Sequence, residues 1–291
     1  MPQADLAAAL GKTLGRVSKM ERGLIELDRV GLLNLVAAER HVHPNDLIGR
    51  PYASSPAENQ WQVSAASILR ELRRYDLAPV FDGAPRTSGE LWRDMTRLHR
   101  LRDAAANTAI LATLPDLLRE ARALAEAAGH EHEEAFAIYA VAYTFAHTAT
   151  HALGHPERVA MAAERATWAA RLSADPVMPA LADWMRVWDM WATADWDDSL
   201  TLSDKAIASV QREYELEPLA LRMWGTLHLR AAVAAARAGR PAEADERINH
   251  ARGAAHRMAG HPNPPIYDRH SVTFSPGNVQ IHAISVALET G

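Results

Sequence analysis

Apolar residues recur along this chain at helical spacing almost from end to end. Alanine and leucine at i, i+3, i+4 and i+7 mark amphipathic helices. The pattern predicts them over 62–75, 88–107, 109–128, 132–153, 156–173, 177–194, 198–213, 217–238 and 242–258. A last helix runs from Asn278 to Glu289, with Ile281, Ile284, Ser285 and Leu288 in its apolar stripe. Glycine or proline marks most breaks: Gly83, Gly129, Gly154-His155-Pro156, Pro176, Pro218 and Gly239-Arg240-Pro241. Short connections of this kind join antiparallel neighbours.

The breaks repeat. Gly154-His155-Pro156, Ala194-Asp195-Trp196 and Gly239-Arg240-Pro241 each open a helix, at offsets of 40 and then 45 residues. Inside those helices Glu164-Arg165-Ala166, Asp204-Lys205-Ala206 and Asn249-His250-Ala251 recur at the same offsets. A period near 40 built from two helices indicates an α-solenoid of stacked pairs. Small residues at the second landmark let paired helices approach closely.

Before residue 51 the elements are shorter. Ala4 to Leu10 is a helix former, and Gly11 suits the left-handed residue that turns the chain. Thr13 stands where a cap for a second helix belongs, running from about Leu14 to Glu21, and Gly23 ends it. Leu6, Leu10, Val17 and Met20 would meet across the turn. Two short helices joined this way form a helix-turn-helix, whose second helix enters the major groove of DNA. With Val17 and Met20 inward, Leu14, Gly15, Arg16, Ser18 and Lys19 face outward. Arg16 and Lys19 suit guanine or phosphate, and Lys12 and Arg22 flank the helix near phosphates. As a bland alternative, the segment is a helical hairpin capping the repeats.

The stretch LAAALGKTLGRVSKMERG resembles the helix-turn-helix of XRE (Cro/cI-like) regulators, through Leu6, Ala7, Gly11, Thr13, Val17, Ser18, Glu21, Arg22 and Gly23. Leu33, Val36, Ala37, Val42, Asp46, Leu47 and Gly49 fit the two helices that follow in that family. The resemblance implies that Gln3 contacts the DNA backbone, that Thr13 joins the DNA-facing set, and that the protein works as a homodimer on double-stranded operator DNA. The chain departs from the family in three ways. It lacks the first helix of the DNA-binding domain, Leu14 and Gly15 replace polar residues, and Arg40 replaces an apolar one. The later repeats are similar to tetratricopeptide-like sensor domains of long actinobacterial XRE regulators, through LPDLLREARALAEAAG, AAERATWAA and FSPGNVQIHAISVALETG. That likeness implies a peptide, small-molecule or protein effector. The last helix has no partner after it, so the expectation is a chain open at both ends.

The expected architecture is therefore all-α: an incomplete helix-turn-helix domain over 1–50, a linker over 51–61 beginning PYASSPAENQ, and a tetratricopeptide-like solenoid over 62–291. Hydrophobic residues make up 48% of the 291, enough for a substantial core. The net charge of −5 argues against bulk attraction to nucleic acid. Residues 1–50 hold seven Lys/Arg against six Asp/Glu, so DNA binding there rests on local placement of charge.

The chain has no cysteine, which excludes disulfides, thiolate zinc sites and thiol nucleophiles. No secretory signal pattern opens it. Its most apolar stretch, Ala135 to Ala146, is too short to span a bilayer. A cytoplasmic protein without membrane contact is expected. Walker, Rossmann and GxSxG motifs are absent, so neither an enzyme nor a cofactor is expected. His147, His151 and His155 recur every four residues, but Gly154 and Pro156 break the helix before the third, and no metal is expected. His130-Glu131-His132-Glu133-Glu134 reads as a solvated helix start. Trp184, Trp188 and Trp191 share one helix face with Leu181. They read either as core between helices or as the aromatic wall of a ligand groove. One alternative function remains: a helical-repeat interaction module carrying a vestigial helix-turn-helix that does not bind DNA.

Overall fold

In a computed structural model of the chain, residues 2–25, 36, 56–79, 83–127, 131–152, 156–212, 217–259 and 272–290 are described. Among them the regular structure is entirely helical. The helices are α1 (Gln3–Ala9), α2 (Leu14–Glu21), α3 (Pro56–Arg73), α4 (Ser88–Asp103), α5 (Asn107–Glu126) and α6 (His132–Ala152). They continue as α7 (Pro156–Leu172), α8 (Met178–Ala192), α9 (Trp196–Val210), α10 (Pro218–Arg237), α11 (Pro241–Ala259) and α12 (Pro276–Thr290). The chain divides into two compact units, Met1–Gln62 and Val63–Gly291.

In the first unit α1 packs on α2, and Leu6, Ala7, Leu10, Val17 and Val36 form a small buried cluster with Met20 against it. The turn is as expected. Gly11 has φ +59° and its N–H bonds to the Ala8 carbonyl, while the Lys12 N–H reaches back to Ala7. This double closure is the Schellman motif, which needs a left-handed residue. Thr13 takes the capping position, but its hydroxyl makes no capping bond; its carbonyl accepts from the N–H groups of Arg16 and Val17 instead. Of the positions expected in later helices of this unit, only Val36 is described. Leu33, Ala37, Arg40, Val42, Asp46, Leu47 and Gly49 lie outside the described residues. One expectation is corrected at the end of the unit: α3 begins at Pro56, inside the stretch read as linker. Proline is well placed in a first helical turn, and Ala57, Glu58 and Gln60 are good helix formers.

The second unit is an α-solenoid. From α4 onward each helix packs on the next, and α4, α6, α8, α10 and α12 also pack on one another in that order. These five make an inner row, with α5, α7, α9 and α11 outside it. An inner helix thus meets up to four neighbours. This is why α6 is buried all round from Ala135 to His147, and α10 nearly so from Ala220 to Ala236. The apolar run Ala135 to Ala146 is therefore a core helix, and among the described residues no helix is long and apolar enough to cross a membrane. Outer helices keep one wet face, so α9 and α11 are amphipathic. The repeated small residues Ala166, Ala206 and Ala251 are all buried on outer helices, where they admit the facing helix.

The repeating break also has a structural cause. Three three-residue turns, 104–106, 193–195 and 238–240, place their middle residue in the left-handed region: Ala105 at φ +54°, Ala194 at +60° and Gly239 at +72°. Each closes by the same pair of backbone bonds. In the second turn the Ala194 N–H meets the Trp191 carbonyl and the Asp195 N–H meets that of Met190; in the third, Gly239 meets Ala236 and Arg240 meets Ala235. The next helix begins directly afterwards. Gly154, at the equivalent place in the first repeat, lies outside the described residues.

Other corrections are local. In α12, Val279 and Val286 are buried while the expected stripe of Ile281, Ile284 and Leu288 is exposed. The acids before and in the first turn of α6 are engaged. Glu131 accepts from the Ser88 hydroxyl at 2.6 Å, and Glu134 accepts from Trp92 Nε1 at 2.6 Å, which clasps the start of α4 to α6. Alanine in a left-handed conformation carries a cost that glycine avoids. Ala194→Gly should therefore raise the unfolding free energy by about 0.5–1 kcal/mol in a denaturant titration. The same change at Ala206, which is helical, should lower it.

Candidate functional site

Two places carry candidate chemistry, one in each unit. In the first, α2 stands on the seam formed by Val17, Leu6 and Leu10, so its opposite side faces outward. Lys12, Thr13, Leu14, Gly15, Arg16, Lys19 and Arg22 are exposed, and Ser18 is half-buried. The structure thus places Arg16 and Lys19 one turn apart on the outer side of α2. Arg22 folds back, its Nε donating to the Ser18 carbonyl at 3.2 Å. Gln3 is exposed, and its amide donates to Glu21 at 2.5 Å, joining the start of α1 to the end of α2.

In the second unit the inner row lines a half-open cavity of about 360 Å³. Its described wall comes from α4, α6, α8, α10, α12 and the segment leading into α12. Trp184, Trp188 and Trp191 line one side, together with Leu181. Spacing of four and then three residues sets them along one face of α8, as the sequence pattern required. They are half-buried, and what lies before them is a cavity and an arginine.

That arginine is Arg230 of α10. Its guanidinium carbon sits 3.9 Å from the Trp184 ring centroid, 4.7 Å from Trp188 and 5.2 Å from Trp191. The side chain is buried, and it makes no hydrogen bond or ion pair with any described residue. Burial pushes its pKa down to about 9, against an upward pull from Asp189. It is therefore still a cation at neutral pH. Asp189 itself is held by His147, whose Nε2 lies 2.7 Å from Oδ1. The aromatic faces supply part of what the guanidinium loses by leaving water, on the order of 0.5–2 kcal/mol for such a contact.

The rest of the wall is polar in a particular sense. Among the described residues two arginines line it, Arg230 and Arg102, and no aspartate or glutamate does. Thr144, Thr148 and Thr226 direct their hydroxyl protons to carbonyls of their own helices. His282 Nδ1 lies 2.9 Å from the Asn278 carbonyl, and burial lowers its pKa, so it is neutral at pH 7.

The segment 272–275 closes the far side. Val272 and Phe274 are buried, and Thr273 between them accepts from Arg102 at 3.3 Å. Phe274 fits where Gly225 has no side chain: a Cβ there would lie 2.3 Å from the ring. The remaining sequence candidates do not gather into a site. His147 is turned to Asp189, and His151 packs on Trp188 with ring centroids 4.4 Å apart. His155 lies outside the described residues, and among those described no cluster of three or more metal-ligating side chains occurs. Sequence reasoning found the tryptophans but missed Arg230, Arg102, Gly225 and Phe274. The available signal for Arg230 was a lone charge inside the apolar run LHLRAAVAAA. Nothing local marks Gly225, whose partner is 49 residues away.

No protein-family model and no curated protein matches the chain. Among solved structures it is similar to that of Bacillus thuringiensis PlcR in complex with the peptide PapR7 and DNA, with a TM-score of 0.39 and 13% identity, over 88% of this chain and 90% of that one.

The notch at Gly225 makes a test of the closing segment. Gly225→Ala should destabilise the protein by about 1–3 kcal/mol, the usual cost of overpacking. Adding Phe274→Ala should recover part of that loss, because the two positions are in contact and their effects do not add. Paired thermal melts of the single and double variants measure it.

Proposed function

We propose that this chain is a sequence-specific DNA-binding transcription regulator whose helical repeats sense an effector. The observation that carries the reading is α2. A short helix stands on a buried apolar seam and leaves its outer side, Arg16 and Lys19 included, exposed. That is what a recognition helix requires, since base edges are read by side chains projecting from one face. Resemblance to the XRE helix-turn-helix in LAAALGKTLGRVSKMERG supports the same reading. In this reading the protein is a cytoplasmic homodimer, each copy offering one recognition helix to one half-site, and it performs no catalysis. The cavity between inner-row helices is where an effector would seat.

The rival reading is an interaction module with a helix-turn-helix that no longer binds DNA. One observation favours it: the Gln3 amide, which would contact the DNA backbone, is engaged by Glu21. Selection of a duplex from a random pool, followed by gel shifts over a salt series, separates the two. The regulator reading expects an enriched sequence whose affinity falls steeply with salt. It expects Lys19→Ala to weaken binding to that duplex by about 1–3 kcal/mol. No enriched sequence, or Lys19→Ala binding like the wild type, would decide for the rival.

A further inference from the structure

We propose that the inner-row cavity binds a carboxylate carried on an apolar body, with Arg230 as the residue that receives the carboxylate and Trp184, Trp188 and Trp191 as the surface for the apolar part. This rests on reading the repeat unit as the sensing half of the protein, and it names the chemistry that half recognises.

Among the described residues, Arg230 lacks an acceptor for its N–H groups. A guanidinium carries five N–H donors in a planar fork. Arginines that serve packing alone spend those donors on carbonyls or carboxylates, because a buried donor without an acceptor is costly. Arg122 in the same unit shows the ordinary solution, with Glu71 at 3.0 Å and the Arg74 carbonyl at 2.6 Å. Arg230 is comparably buried, only 9% exposed, yet it has neither kind of partner among the described residues. Its contacts are the faces of three indole rings, which attract the charge but accept from none of its N–H groups at their edges. The one acid that acts on it, Asp189, is committed to His147.

The cavity in front of the fork selects the same ligand from the other side. Among the described residues its wall holds two arginines and no acid, so their field favours an anion. A planar carboxylate matches the guanidinium fork with two parallel, charge-assisted bonds. Around the fork the wall is aromatic and aliphatic, with Leu181 and Phe145 beside the tryptophans. The volume, about 360 Å³, falls in the range of small-molecule sites. A small organic acid and the free C-terminus of a peptide with an apolar last residue share this chemistry.

The test uses the full chain and titrates it with phenylacetate, with hexanoate, and with the primary amide of each. Two further probes carry the group on a peptide: N-acetyl-Leu-Ala-Phe as free acid and as C-terminal amide. Tryptophan fluorescence and calorimetry report binding. At least one acid should bind with a fluorescence change, its amide at least tenfold more weakly. Arg230→Gln should lose tenfold or more of the acid affinity while keeping the helical circular dichroism of the wild type. Which acid binds more tightly, the small molecule or the tripeptide, assigns the source.

Should Arg230→Gln fail to fold, Arg230→Lys keeps a charge in the aromatic cage without the two-pronged fork and should still weaken acid binding severalfold. The acid-against-amide comparison needs no variant at all. Amides that bind as well as their acids, an Arg230→Gln protein that binds acids like the wild type, or no response to any acid at millimolar concentration would each overturn the proposal. Arg230 would then be a structural plug. Gel shifts on the same preparation keep the two readings apart. Acid binding without DNA binding leaves this site standing and removes the regulator, and DNA binding without acid binding does the reverse.

Discussion

The inner row of the solenoid depends on close contact between second neighbours. Helices α6, α8 and α10 each touch the helices before and after them and also both neighbours in their own row, which α4 and α12 extend at its ends. A helix in the middle of such a row has almost no face left for water, so α6 and α10 are apolar nearly all round. Outer helices are released from that demand and remain amphipathic. The division between rows sets the composition of each helix, the position of the core, and the side on which a cavity can exist. Where the row opens, the faces that would otherwise pack line a half-open cavity instead, and the tryptophans of α8 stand at that opening.

The turns hold the spacing that makes the row possible. At Ala105, Ala194 and Gly239 the same left-handed residue closes the helix and starts the next within three residues. So tight a reversal leaves little freedom in how the next helix returns, and repeated turns of one kind give repeated pairs of one kind. Ala105 and Ala194 accept backbone strain at positions suited to glycine, which shows how strongly the surrounding packing imposes the geometry.

Arg230 is the point at which this packing and the chemistry meet. The inner row buries a cation that its own described residues do not pair, and three indole rings hold it in place. A buried, unpaired charge costs stability unless the protein has another use for it. Arg230 lines the cavity, Thr273 of the segment before α12 reaches the same wall, and that segment is fitted to α10 where Phe274 fills the notch at Gly225. The wall thus combines an aromatic face with one uncommitted fork of donors.

Much of this was legible in the chain. Helical periodicity located the elements to within a few residues from α4 onward, because amphipathic spacing and glycine or proline breaks are local properties. The repeat was visible for a related reason: three of the pairs use the same turn, and turn chemistry is written in adjacent residues. The exposed side of α2 followed from Val17 and Met20 having to face inward. Other features depended on which segments meet. Pro56 opens a helix inside an apparent linker because proline suits a first turn as well as a loop. The stripe of Ile281, Ile284 and Leu288 faces out because α12 packs through Val279 and Val286. The tryptophan stripe could be assigned to one face of α8 from spacing alone, but whether that face met core or cavity was decided by α10, which brings Arg230 across from 39 residues beyond Trp191. A periodic pattern tells which side of a helix is apolar; only the assembled row decides what that side encounters.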